Sequence, residues 1–357
     1  IGSYALNGNN TGNYNNALGN AALKCNIAGG WNNAIGMYAL YNNLSACYNN
    51  AIGYSALCDN TTGTDNNALG REALFRNTTG SHNTALGCGA LYNSLSGCHN
   101  FAAGQCALFS NWGGCYNNAI GQYALCRNTT GIHNNAIGFQ ALYCNTTGEY
   151  NTAIGNTSLR YNTTGNHNNV IGANGLFSNT TGGLNTAIGG HALYANTTGP
   201  YNTAIGYFAL YGNTTGGYNT AIGGYSLCSN TTGSQNHALG YQALNKNTTG
   251  CHNTAIGRDS LKCNTTGNSN NAIGPYALCK NTTGCDNAAI GYQALRENTT
   301  GQYNIAVGCA TLLNNTTGGG NVALGGQFTL YGNSTGCYNT AIGYRSLCFT
   351  LQYNRRL

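Results

Sequence analysis

A 17-residue period runs through the whole chain, and it constrains the fold more than any local signal does. The unit reads N-T-A-I-G-x-x-A-L-x-x-N-T-T-G-x-x, cleanly so from Asn151. Its aliphatic-Gly step returns from Ile1-Gly2 to Leu324-Gly325, and one extra residue shifts the last of 21 copies to Ile342-Gly343. With the columns numbered 1 to 17 from Asn151, column 1 is Asn in every copy that contains it, from Asn15 to Asn339. Column 4 is Ile, Leu or Val in all copies but one, the exception being Ala103. Column 9 is always Leu, from Leu6 to Leu347, and column 15 is Gly except at Ala46. Columns 6, 7, 10, 11, 16 and 17 vary freely.

A unit of this length is too short for a helix pair or a propeller blade. Helical spacing fails as well, because columns 4 and 9 lie five apart with a glycine between them. Two short extended segments, columns 1–5 and 7–10, joined by two turns fit better. The glycines of columns 5 and 15 are expected to supply positive φ at the corners, and N-T-T-G is strong turn chemistry. The expected fold is therefore all-β, a parallel β-solenoid or β-roll of about 21 coils with 17 residues per coil, spanning residues 1–347 as one array. At a strand spacing of ~4.8 Å such a stack is roughly 100 Å long. Residues 348–357 are expected to form a cap or the start of a further segment, and the insertion near Phe328 to bulge one coil.

Stacking places like residues above one another. Column 4 is expected to make an Ile row and column 9 a Leu row, facing each other inside the coil. Asn in columns 1 and 12 is expected to form amide ladders. One aliphatic pair is thin cover for 17 ordered residues, so more burial is expected from outside the coil. Column 3, nearly always Ala, and column 8, always small, flank the core columns and are assigned to the outer face. Small residues there let another surface approach closely, so a homo-oligomer is expected, a trimer most of all. Uncapped ends predict end-to-end filaments.

Composition narrows the function. Charged residues are 6% of the chain, against about 25% in ordinary domains. The 13 basic residues are scattered, which gives no stripe for nucleic acid. No apolar run approaches the ~20 residues of a membrane helix. The chain begins at Ile1 in mid-unit without Met, as expected of a processed chain or an excerpt. Seventeen cysteines without zinc or catalytic spacing point to an oxidising, extracellular or cell-surface setting. Cys98 and Cys115 share column 16 in successive coils, and Cys126 and Cys144 occupy columns 10 and 11 of adjacent coils; both are candidate disulfides.

The units resemble the head repeats of the trimeric autotransporter adhesins of the YadA kind, through the A-I-G strand and the N-T-A-I-G-x-x-A-L run. They are also similar to repeats of phage tail-fibre and environmental surface proteins. The resemblance implies a left-handed parallel β-roll in which three chains associate. The present period is longer than that family's usual unit, and the N-T-T-G turn is an addition.

No constellation for chemistry stands out. The carboxylates Asp59, Asp65, Glu72, Glu149, Asp259, Asp286 and Glu297 scatter over variable columns and form no catalytic pair. His82, His99, His133, His167 and His252 share column 17 with Tyr, Trp and Asp, which reads as a stacked surface row rather than a metal site. No P-loop is present, and no turn column repeats Asp for calcium. No catalytic residue, metal site or cofactor is assigned.

The sharper signal is the Asn-x-Thr/Ser sequon of column 12. It recurs at Asn9, Asn43, Asn60, Asn77, Asn128, Asn145, Asn162, Asn179, Asn196, Asn213, Asn230, Asn247, Asn264, Asn281, Asn298, Asn315 and Asn333. On a secreted surface these are candidate glycan acceptors, N-linked at Asn or O-linked at the neighbouring Thr; the competing reading is a turn formed by the same residues. The expected function is an extracellular structural fibre or adhesin rod, self-associating and glycan-coated, with a host surface or glycan as a further partner. The alternative is an ice- or glycan-binding solenoid that uses Thr and Tyr ladders such as Thr61-Thr62 and Thr78-Thr79. An enzyme is the least favoured class.

Overall fold

The computed structural model describes residues 1–348, and the expected cap at 349–357 lies outside them. The chain is all-β, a parallel β-solenoid with no helix among the described residues. It divides into two compact units, Ile1–Gly183 and Leu184–Leu357. The first carries ten strands, β1 (Asn16–Leu18) to β10 (Asn169–Ile171), and the second ten more, β11 (Thr186–Ile188) to β20 (Thr340–Ile342). The incomplete copy at Ile1 adds no strand, so 20 strands stand among the described residues for 21 copies of the unit.

Within each unit a strand covers only columns 2–4 and pairs in parallel with the same columns of the neighbouring coil. Ala153 lies beside Val170, for example, and Ile154 beside Ile171. The register is 17 in the first unit, and in the second it holds at 17 until the insertion, where Val322 pairs with Thr340. The expected second strand over columns 7–10 is instead a run of turns. Columns 7 and 9 there take left-handed backbone even without glycine, as at Thr157 (φ 50°) and Leu159 (φ 51°). Bonds between coils hold them in it: Leu142 N–H donates to Ser158 O at 3.0 Å and Cys144 N–H to Arg160 O at 2.9 Å. Left-handed backbone costs a non-glycine residue roughly 1–2 kcal/mol, and the continuous ladder offsets it.

The two glycine columns do different work. Column 5 has the expected positive φ, 136° at Gly155. Column 15 is not left-handed and is glycine for lack of room. A Cβ on Gly148 would meet Asn145 Oδ1 and lie 2.7 Å from Gly165 O.

The interior corrects one expectation outright. From Ala34 to Ala341 the column 3 residues point inward and are buried, as are the column 8 residues from Ala22 to Thr329 and the Leu row from Leu23 to Leu330. The column 4 aliphatics point outward. In the first unit Leu18, Ile35, Ile52, Leu69, Leu86, Ile120 and Ile171 are 37–50% exposed. The Ile and Leu rows therefore do not face each other. The coil is narrow, and its inward strand column keeps a small residue, Ala at every coil but that of Val170. With the alanines inside, the argument for a trimer built on a small outer face no longer holds.

Candidate functional site

The asparagines close each coil. The column 12 amide donates to the carbonyl of the Gly three residues on and to the Asn Oδ1 of the preceding coil. Asn145 Nδ2 reaches Gly148 O at 2.9 Å and Asn128 Oδ1 at 2.8 Å. The column 1 amide reaches the same carbonyl from the other side, Asn134 Nδ2 to Gly148 O at 2.8 Å, while Asn134 Oδ1 accepts the backbone N–H of Asn151 at 3.0 Å. One glycine carbonyl thus ties the strand start to the turn 14 residues later.

This placement favours the turn reading of the sequon over the glycan one. From Asn43 to Asn333 every candidate sequon asparagine is buried, and the nitrogen that would carry a sugar donates inside the coil, as Asn60 Nδ2 does to Gly63 O at 2.9 Å. The folded coil has no room for a glycan there; Asn9, in the first coil, is exposed. The Thr pair that follows splits its roles. The first hydroxyl bonds along the stack, Thr146 Oγ1 to Thr163 O at 3.0 Å, while the second, as at Thr130 and Thr147, faces solvent. The two Thr columns therefore do not make one flat double row.

One break in the amide ladder marks the first unit. Ser94 stands where Asn is expected, and both Ser94 Oγ and Asn77 Oδ1 are buried without a partner. Ser94→Asn is expected to restore donation to Asn77 and acceptance from Asn111, raising stability by about 1–3 kcal/mol. Chemical unfolding of the variant against the parent checks this.

Neither candidate cysteine pair is at bonding distance. Cys98 and Cys115 Sγ lie 3.0 Å apart, beyond the ~2.05 Å of a bond. Burial, then the neighbouring Cys115, pushes the Cys98 thiol up to about 11. Cys126 and Cys144 are also free thiols; burial raises both, Cys126 to about 11. A raised thiol holds little thiolate near neutral pH, which slows its oxidation.

Column 17 forms stacked rings, as expected. Tyr14, Trp31 and Tyr48 stack in one run, at 5.2 and 5.3 Å. His82, His99, Tyr116, His133, Tyr150 and His167 make a second, with centroids 4.7–5.0 Å apart. Their faces cover one another, so only ring edges are offered along these rows. Among the described residues no group of three or more His, Cys, Asp or Glu is placed to hold a metal ion. No helix among the described residues is long and apolar enough to cross a membrane.

The surface that sequence reasoning missed is the outer strand face. Column 2 and column 4 side chains both point outward. In the first unit Asn16, Asn33, Asn50 and Asn67 bond in series at 2.7–2.8 Å. Beside them runs the aliphatic row, and a shallow groove between the two is lined by Asn33, Ile35, Asn50, Ile52, Leu69 and Leu86. The signal was present in the sequence: column 4 exchanges Ile, Leu, Val and Ala, whereas column 3 keeps Ala almost throughout. A size-restricted column is the packed one. No family model matches the chain, and no curated protein or solved structure shows significant similarity to it.

Proposed function

We propose that the chain is a structural subunit of an extracellular fibre or adhesin, and that it self-associates through the aliphatic row on its strand face. The observation that carries this reading is that row itself. Parallel sheets are ordinarily covered on both faces, and here one face holds a stacked aliphatic column half open to solvent. A second copy fits it best, because only an array with the same coil spacing stays in register over ten coils. Nine steps of ~4.8 Å by a width of roughly 10 Å give each unit on the order of 400 Å² of such surface. That is about half of the ~800 Å² per partner in a stable interface, so the row of one unit makes a weak contact by itself. The low charge of the chain favours such assembly. If the fibre is sugar-coated, the outward Thr hydroxyls supply the attachment points.

Sedimentation tests the proposal. The parent chain is expected to form oligomers, and the distribution gives their number. Ile222→Asp with Ile256→Asp, both on outward positions 39% exposed, is expected to leave a folded monomer with about 2–3 kcal/mol lost in stability. A parent chain that stays monomeric at every concentration overturns the self-association.

A further inference from the structure

The second unit carries aromatic rings unlike those of column 17. In column 7, His191, Phe208 and Tyr225 stack face to face, at 5.0 and 5.5 Å. Their faces are engaged with one another, so their edges point sideways. Tyr207, in column 6, stands at 86°, 79° and 85° to those three rings, with centroids 6.2, 4.4 and 5.9 Å away. It therefore lies across their edges, with one face inward and the other toward solvent; the residue is 52% exposed. Tyr241 repeats the arrangement at 82° to Tyr225, 6.1 Å away, and is 49% exposed.

Glycine makes the rings lie down. Column 6 alternates Gly190, Tyr207, Gly224 and Tyr241. A Cβ on Gly190 would sit 3.4 Å from Tyr207 Cδ2, and one on Gly224 3.6 Å from Tyr241 Cδ2. Each tyrosine thus folds back over the bare backbone of the preceding coil. Columns 6 and 7 hold no Asp, Glu, Lys or Arg from Gly190 to Gln242.

We propose that Tyr207 and Tyr241 form a two-ring platform that binds an uncharged, extended β-1,4-linked polysaccharide of the cellulose or chitin type, lying along the coil stack. The rings stand two coils apart, roughly 10 Å at the strand spacing. That is the step at which such a chain turns the same sugar face to one side. The electron-rich face of each ring meets the axial C–H groups of a sugar, and the phenol hydroxyls and the Gln242 amide beside them offer hydrogen bonds to its hydroxyls. Tyr292 stands three coils beyond Tyr241 and is out of step with the disaccharide repeat. The rings belong to column 6, past the column 5 glycine from the aliphatic row, and binding at them does not depend on self-association.

Partition of the full chain onto microcrystalline cellulose and chitin, with amylose-resin and buffer controls, tests the proposal. The parent is expected to bind one or both β-linked solids and not the α-linked one. Tyr207→Ala and Tyr241→Ala together are expected to lower the partition coefficient roughly tenfold, with the far-ultraviolet spectrum and melting unchanged, while Tyr292→Ala changes it less than twofold. Absence of parent binding to both β-linked solids overturns the proposal. So does equal binding to amylose, or a Tyr292→Ala loss as large as that of the platform pair. If the double alanine variant unfolds, Tyr207→Phe with Tyr241→Phe keeps the rings and must retain at least half of the binding.

Discussion

Asn145→Ala is expected to destabilise the first unit by about 3–5 kcal/mol, seen as a large drop in its unfolding midpoint. The side chain is fully buried and serves three neighbours at once. It donates to Asn128 Oδ1 and Gly148 O and accepts from Asn162 Nδ2 at 2.9 Å. Gly148 O keeps a second donor in Asn134. Asn128 Oδ1 and one N–H of Asn162 are left inside the coil unpaired, at about 1–3 kcal/mol each, and the lost volume adds to this. The isosteric change Asn145→Asp separates shape from donation. It keeps the volume but offers no N–H, and it places a carboxylate against two oxygens where no water reaches, so it is expected to cost at least as much as alanine. In a one-dimensional array each coil depends on its neighbours, so hydrogen exchange should quicken first in the coils around Asn128 and Asn162. An Asn145→Asp chain that melts with the parent would sink the claim that amide donation, rather than fit, holds the turn. Raised stability in Ser94→Asn is the same argument with its sign reversed.

The period made much of this legible. Seventeen residues per coil, the parallel register, the Leu row and the column 12 amide ladder all follow from a column that keeps one residue type through stacked repeats. What the sequence hid was geometry within the coil. Parity along a strand says only that Ala153 and Ile154 face opposite ways, and hydrophobicity alone sends the larger one inward. The interior is too narrow for it, so size decided against apolarity. The left-handed backbone at Leu159 was also invisible, because Leu has no preference for that conformation; the ladder between coils imposes it. The sequon is ambiguous for a related reason. An Asn that turns a chain and an Asn that accepts a sugar look alike in sequence, and only the direction of the amide, here toward Gly148 or its equivalent, tells them apart. The Tyr207 platform had a faint trace, the alternation of Gly and Tyr in a column that otherwise varies freely.

Gly155→Ala carries the other large expected effect, a loss of about 3–5 kcal/mol or failure of the first unit to fold. Two causes act together. The φ of 136° lies where an L side chain is strained, and the new Cβ would fall 2.7 Å from both C and O of Gly172 in the next coil. Neither contact is with a side chain that can swing aside. Relief requires the coils to separate, yet Gly155 N–H is held to Ile137 O at 2.8 Å and Gly172 N–H to Ile154 O at 2.8 Å, so the clash is passed along the stack. Gly113→Ala in the same unit is the matched control. A Cβ there meets nothing nearer than Ser96 Oγ at 3.6 Å, and its backbone is outside the left-handed region. It is expected to leave the midpoint unchanged or to raise it by under about 1 kcal/mol. Thermal melts of the two variants beside the parent make the comparison, with circular dichroism to detect an unfolded Gly155→Ala chain. Equal melting of both variants would mean that the corner after each strand tolerates a side chain. The close coil-on-coil approach that buries the alanines and turns the aliphatic row outward would then have to be wrong as well.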